Sequence, residues 1–177
     1  RALASVRNAF EADRETGHVS LVNLVDEAIA QRHYSLAVSL ADVGIYDAPV
    51  GSALLVSLGL ARQLTTATEA LRQRDAEGLR EALMGALGEY LEHPETRSST
   101  LHLVNRAGEQ ARAAEDFELL KSLASMGGTL QNEGTELETK FLEWAHEIEK
   151  QYQKRLESSA SRQYEHALEL LALDDPG

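Results

Sequence analysis

The sequence predicts an all-α protein, built as a solenoid of helical hairpins that ends in a long C-terminal helix. No segment alternates apolar and polar residues for long enough to indicate a strand, and the three prolines interrupt no apolar-periodic stretch. Residues 33–44 (HYSLAVSLADVG) are echoed by residues 116–127 (DFELLKSLASMG), with aromatic matched to aromatic and Ser-Leu-Ala matched to Ser-Leu-Ala. An apolar stripe of helical spacing then runs along about 40 residues near the C-terminal end.

Three helices are expected in the first quarter of the chain. The first covers about residues 2–15 and ends near Gly17, because glycine commonly stops a helix. Ser20 can N-cap the second helix, which runs to about His33. The third covers about 34–44 and buries the apolar face that opens with its tyrosine.

The fourth predicted helix, about 53–73, is apolar nearly all round in its first half. A helix that is apolar on every side is surrounded by other helices, so we expect it at the centre of the core. Asp75 is the expected N-cap of a fifth helix over about 76–92, because its carboxylate can accept a hydrogen bond from the first turn.

Pro94 is expected to open a polar break after the fifth helix. Ser98 or Ser99 can then cap the sixth helix, which ends near Ala114.

Glu115 or Asp116 caps the seventh helix, which stops at the glycine pair 127–128. The last helix is about 60 Å long at 1.5 Å per residue, and serines near its middle can kink it. Its apolar stripe comprises Leu137, Phe141, Ala145, Ile148, Tyr152, Leu156, Ala160, Tyr164, Ala167 and Leu171.

The hairpins repeat at a nearly constant spacing. Their second helices align on Tyr34, Ala76 and Phe117, which are 42 and 41 residues apart. A constant period predicts stacked repeats, because one hairpin cannot bury its apolar face alone. The alternative is three unrelated amphipathic hairpins.

Two local patterns carry a family resemblance. Ala107-Gly108 supplies a small pair in the first helix of a hairpin, and Tyr34–Ala37 supplies an aromatic-x-x-Ala opening of a second helix, as Phe117 begins another. Over residues 19–127 the chain therefore resembles tetratricopeptide (TPR) arrays. It departs from them in period, about 41 residues against 34, and lacks the tryptophan and closing proline of each unit. The resemblance implies a TPR-like right-handed helical-hairpin solenoid.

This organisation predicts three parts, namely an N-terminal helix (1–18), TPR-like repeats (19–127) and a long C-terminal helix (130–173). The resemblance further implies that first helices line a concave groove able to hold an extended peptide. An ordinary solvated helix face is the alternative reading of the same positions. The groove residues would be Asp26, Thr68, Arg72, His102, Asn105, Glu109 and Arg112.

Charge and composition narrow the classes of partner. The chain has 17 basic and 29 acidic residues and a formal charge of −12. Such a field repels phosphate backbones and anionic lipids, so we expect no direct nucleic-acid or membrane binding and favour a basic protein or peptide. The absence of cysteine excludes disulfides, thiolate nucleophiles and cysteine metal sites, and it is compatible with a cytoplasmic protein.

Signals of catalysis and of metal binding are weak. Glu143-x-x-His146 has the spacing of half a di-iron site. A Glu–His pair of this kind on an acidic helix is more often a surface ion pair. No Gly-x-Ser-x-Gly elbow and no phosphate-binding glycine loop is present. We therefore expect a protein that is not an enzyme and that uses no metal and no cofactor.

The leading functional hypothesis is a non-enzymatic scaffold or adaptor that docks a peptide or helix of a partner protein and self-associates. The C-terminal end of the long stripe would form a homodimer, because apolar side chains that the body does not bury favour burial against a second copy. Alternatively, the tail folds back onto the body. The other functional hypotheses are a TPR-like sensor domain of a larger transcriptional or signalling regulator, and a helical-bundle metal or cofactor carrier. The expected dimer residues are Tyr164, Ala167, Leu168 and Leu171.

Overall fold

A computed structural model describes residues 4–8, 14–49, 51–127, 130 and 132–173, and no strand occurs within these ranges. A short helical segment at 4–8 and a 3₁₀ turn, Ile45–Asp47, accompany the longer helices. These are α1 (Arg14–Ala30), α2 (Tyr34–Ala41), α3 (Ala53–Gln73), α4 (Ala76–Glu89), α5 (Pro94–Ala113), α6 (Phe117–Gly127) and α7 (Asn132–Leu173).

The all-α prediction is confirmed for the described residues. The chain forms two units, 1–107 and 108–177, and the boundary falls inside α5. In the first unit α3 packs against α1, α2 and α4. Its leucines at 54, 58, 60 and 64 are almost fully buried, which explains the apolar run in its first half. In the second unit α6 packs along α7. The three-part division expected from the sequence stays a prediction.

The three hairpin turns share one backbone conformation. Arg32, Arg74 and Glu115 each lie two residues before a second helix and have left-handed φ values of 64°, 59° and 55°. In each turn the next residue donates its N–H to an alanine carbonyl five residues earlier, at 2.8–2.9 Å. This is the Schellman stop, in which a left-handed residue lets the chain satisfy the last carbonyls of a helix. The recurring alanines are Ala28, Ala70 and Ala111.

Two predicted N-caps are confirmed. The carboxylate of Asp75 accepts from the N–H of Gly78 at 3.0 Å, and that of Asp116 accepts from the N–H of Leu119 at 3.0 Å. Glu115, the alternative cap for the last of these helices, instead occupies the left-handed turn position.

Other predicted helix ends were wrong. Gly17 and Ser20 lie inside α1, and Ser98 and Ser99 lie inside α5, so none of them marks an end. Pro94 opens α5 rather than a break, because proline fits the first helical position, where no N–H donor is needed. The third and fifth helices also stop early, at residues 41 and 89.

The long helix predicted at the C-terminal end is α7. It has 42 residues, which makes it about 63 Å long. The helix is continuous through Ser158–Ser161, and the kink expected there stays a prediction.

Candidate functional site

Asp26, the first of the expected groove residues, belongs to a polar cluster in the first unit. The Ser57 hydroxyl donates to Asp26 Oδ1 at 2.6 Å. His93 Nε2 lies 3.2 Å from Ser57 Oγ and 3.2 Å from Asp26 Oδ1. Ser57 is 1% exposed and the His93 side chain 6%, while the Asp26 side chain is one-third exposed. The cluster joins α1, α3 and the turn before α5.

These residue types are those of a catalytic triad, but their bonding is different. The N–H of Glu95 donates to Nδ1 of His93 at 3.2 Å, so a neutral ring carries its proton on Nε2. Nε2 therefore donates towards Asp26 and Ser57 and has no lone pair with which to take the serine proton. In a triad the aspartate bonds the other ring nitrogen. The arrangement satisfies buried polar groups, with the histidine as a donor to both oxygens.

Sequence reasoning missed Ser57 and His93 because they lie 31 and 67 residues from Asp26. Only the serine within the apolar run of α3 gave a local signal, since a buried hydroxyl needs a partner.

Thr68 and Arg72 lie on α3 and are bound locally. The Thr68 hydroxyl donates to the carbonyl of Leu64 at 2.8 Å, and the Arg72 guanidinium donates twice to Glu69, at 2.9 and 2.6 Å. Those hydrogen bonds lower the pKa of Glu69 to about 2. Thr68 and Glu69, with Thr65 of the same helix, also line an open pocket of about 480 Å³. Its other wall is formed by the α1–α2 turn and the start of α2, through Arg32, His33, Tyr34, Ser35 and Leu36.

The remaining groove candidates lie on α5. His102 and Asn105 are half-buried in the first unit, and Glu109 and Arg112 are exposed in the second. Thr68 and Arg72 share α3, whereas Asp26 belongs to the separate cluster with Ser57 and His93. The hydrogen bonds described for Asp26, Thr68 and Arg72 do not join them to one another across a groove, so the peptide groove stays a prediction.

Arg112 is held by α7 at an aromatic site. Its guanidinium carbon lies 4.4 Å from the centre of the Trp144 ring, and Lys140 Nζ lies 4.5 Å from the same centre. Glu147 lies 4.0 Å from Arg112 and partly balances its charge. Cations over a tryptophan face are attracted to its π system, so the cluster fastens α5 to α7.

The side chains of α7 divide into a covered half (135–150) and an uncovered half (151–166). In the covered half, Phe141 and Ala145 are 0% and 1% exposed. Every residue of the uncovered half is exposed, and Tyr152, Leu156 and Tyr164 expose 51%, 48% and 67% of their surface. This is the longest run of exposed helix residues in the described part of the chain, and it is our candidate functional site.

The uncovered half is amphipathic. Leu156, Ala160 and Tyr164 follow one another at single-turn spacing, each about 40° further round the helix. Lys154, Arg155, Ser158 and Arg162 lie on the other side and line a shallow depression of about 310 Å³. The half carries three basic and two acidic residues, although the whole chain is at −12. It is thus the part of α7 least subject to the acidic field.

An ion pair marks the base of the uncovered half. Arg155 donates to both carboxylate oxygens of Glu115, at 2.7 and 3.0 Å. The guanidinium lowers the pKa of Glu115, which is the left-handed residue of the third hairpin turn. This ion pair therefore joins the α5–α6 turn to α7 near the start of its uncovered half.

Of the expected dimer residues, the structure describes the side chain of Tyr164 only. Ala167, Leu168 and Leu171 lie on α7, but their side chains fall outside the described residues. Residues 151–166 are exposed. Both the homodimer and the alternative, in which the tail folds back onto the body, stay predictions.

No group of three His, Asp or Glu side chains that could hold a metal ion occurs in the described part of the chain. Of the helices described, none is long and apolar enough to cross a membrane. No family model, curated protein or solved structure matches the chain significantly. The function must be inferred from the residues themselves.

Proposed function

We propose that the protein is a non-enzymatic protein-interaction module, a scaffold or adaptor. Its uncovered half of α7 docks a peptide or helix of a partner protein and also self-associates. The observation that carries the proposal is the exposed apolar row Leu156 and Tyr164 on a helix whose other half is packed.

The anchoring of α7 supports a binding role. Phe141 and Trp144 pack against α5 residues, and Arg155 is bonded to Glu115, so α7 is anchored at several points within the second unit. A preformed helix loses little conformational entropy on binding. Recognition of an amphipathic helix by another helix or a groove uses such single-turn anchors.

The three matching Schellman turns support a scaffold built from repeated helical hairpins. The same φ and hydrogen bonds recur at residues 32, 74 and 115, with the spacing of the sequence repeat. Repeated helical hairpins are scaffolds that mostly bind other proteins.

The bonding of Ser57, His93 and Asp26 supports a non-enzymatic role. The serine and histidine are buried, and the histidine faces the serine with a donating N–H and not with the lone pair that a general base needs.

The test compares Leu156→Glu with Ser158→Glu, which places the same new charge two residues away on the opposite side of α7. We expect wild type and Ser158→Glu to show the same self-associated mass by light scattering and to capture the same proteins from native extract. Leu156→Glu should lose both, because a carboxylate is costly in a buried interface. Equal behaviour of the three proteins would exclude this face as the binding site.

A second candidate is a sensor domain of a larger regulator. It is favoured by the 480 Å³ pocket at the α1–α2 turn, which combines Arg32 and His33 with Glu69. A small molecule that raises the unfolding temperature of wild type but not of a Thr68→Trp variant would support it.

A further inference from the structure

We propose that two copies of the chain pair antiparallel through their uncovered halves, with Ala160 on the two-fold axis. The inference rests on the proposed self-association and adds the direction and the register of the pair.

The residues around Ala160 are arranged almost symmetrically. Leu156 lies four residues before it and Tyr164 four residues after it, and both are large, apolar and exposed. Ser159 and Ser161 flank it and are exposed as well. A two-fold interface uses the same patch on both copies, so it must be self-complementary. About an axis at Ala160, Leu156 meets the partner subunit's Tyr164, and Tyr164 meets the partner subunit's Leu156.

The small residues at the centre fit a close helix crossing. Leu156, Ala160 and Tyr164 form one ridge of residues spaced by four. When two such ridges interdigitate, helices cross at about −50° with axes 8–10 Å apart. The closest approach then lies at Ala160, where a methyl group allows it, and the larger side chains pack on either side.

Charge favours the antiparallel direction. Two chains at −12 repel each other, so contact is easiest where acidic charge is least. The uncovered half, with three basic and two acidic residues, is such a place. Phe141, at the packed end, is about 28 Å from Ala160. Antiparallel copies put their packed ends on opposite sides of the crossing, well beyond a Debye length of about 8–10 Å. Parallel copies would put them on the same side.

The register can be tested by cysteine cross-linking because the chain has no cysteine of its own. Ala160→Cys and Ser158→Cys are made in the full chain, oxidised mildly and compared on a non-reducing gel. Ser158 is about 160° round the helix from Ala160 and is the matched control. A disulfide requires Cα atoms about 4.4–6.8 Å apart. We expect Ala160→Cys to run mainly as a covalent dimer and Ser158→Cys as a monomer.

The direction is tested with Leu156→Cys and Tyr164→Cys. An antiparallel pair cross-links efficiently only when the two variants are mixed. If each variant cross-links to itself as well as the mixture does, the pair is parallel and the inference fails.

Light scattering on the untreated wild type separates this inference from the proposed function. A dimer mass, with Ala160→Cys no more reactive than Ser158→Cys, overturns the register and leaves self-association in place. A monomer mass at every concentration overturns both. Circular dichroism of each variant shows that the helix is retained.

Discussion

The covered and uncovered halves of α7 belong to one helix and follow one apolar stripe, yet they have opposite surroundings. In the covered half Phe141 has no exposed surface, and its ring fills the space above Gly108 on α5. In the uncovered half Tyr164 is 67% exposed. Apolar periodicity therefore states which face of a helix can be buried, but not whether the chain itself buries it.

The difference also separates stability from binding. Burial of apolar surface contributes about 25 cal/mol per Å². The covered half therefore stabilises the second unit, whereas the apolar surface of the uncovered half would contribute free energy only when a partner buries it. Substitutions that compare matched residues from the two halves should separate these contributions.

The largest difference is expected between two aromatic truncations. Phe141→Ala should lower the free energy of unfolding by about 3–5 kcal/mol, because it leaves a cavity. In a sample too dilute for self-association, Tyr164→Ala should change it by no more than about 0.5 kcal/mol, as surface substitutions do. Urea unfolding followed by the fluorescence of Trp144, the only tryptophan, reports on this unit. Equal midpoints for the two variants would mean that the halves do not differ in cover.

A leucine pair should show the same contrast with a slightly smaller effect. Leu123 on α6 is 2% exposed and Leu156 is 48% exposed. We expect Leu123→Ala to cost about 2–5 kcal/mol and Leu156→Ala to leave the stability of the monomer nearly unchanged. The measurement is made at a concentration too low for self-association. An unchanged midpoint for Leu123→Ala would also contradict the repeat alignment, which places Leu123 opposite Leu40.

Gly108→Ala probes the fit of the covered half directly. A methyl group at this position would collide with the Phe141 ring, so we expect a loss of about 1–3 kcal/mol from overpacking. Gly88→Ala is the control, because nothing lies within 4 Å of the new atom and helix propensity should rise. Adding Phe141→Leu to Gly108→Ala should recover part of the loss. Without that recovery, the collision is not the cause.

The smallest effect is expected at the boundary between the halves. Arg155 lowers the pKa of Glu115, so the ion pair stabilises the fold above the ordinary glutamate value of 4.5. The contribution is lost as the pH falls below 4.5 and through the lower folded-state pKa. Both groups are exposed, so added salt should weaken the pair. Thermal unfolding of wild type and Arg155→Gln should differ slightly at neutral pH and converge in acid. A difference that persists in acid would contradict this.

The sequence by itself determined the local structure. The lack of strand alternation gave the all-α class, and the repeat spacing located the starts of α2, α4 and α6 at residues 34, 76 and 117. Asp75 and Asp116 were recognisable as caps, because capping depends on a side chain and the backbone three residues away. The helix end predicted near Gly17 and the break predicted at Pro94 were wrong, because glycine is tolerated within a helix and proline suits its first turn.

Only the tertiary structure decided which surfaces are covered. The Asp26–Ser57–His93 cluster joins residues up to 67 apart, and the cations over Trp144 come from two helices. No local pattern encodes such pairs, because they depend on how helices pack. For the same reason the apolar spacing along α7 is the same at Phe141 and at Tyr164, although only Phe141 is buried by other helices. The site proposed for binding lies in the uncovered half.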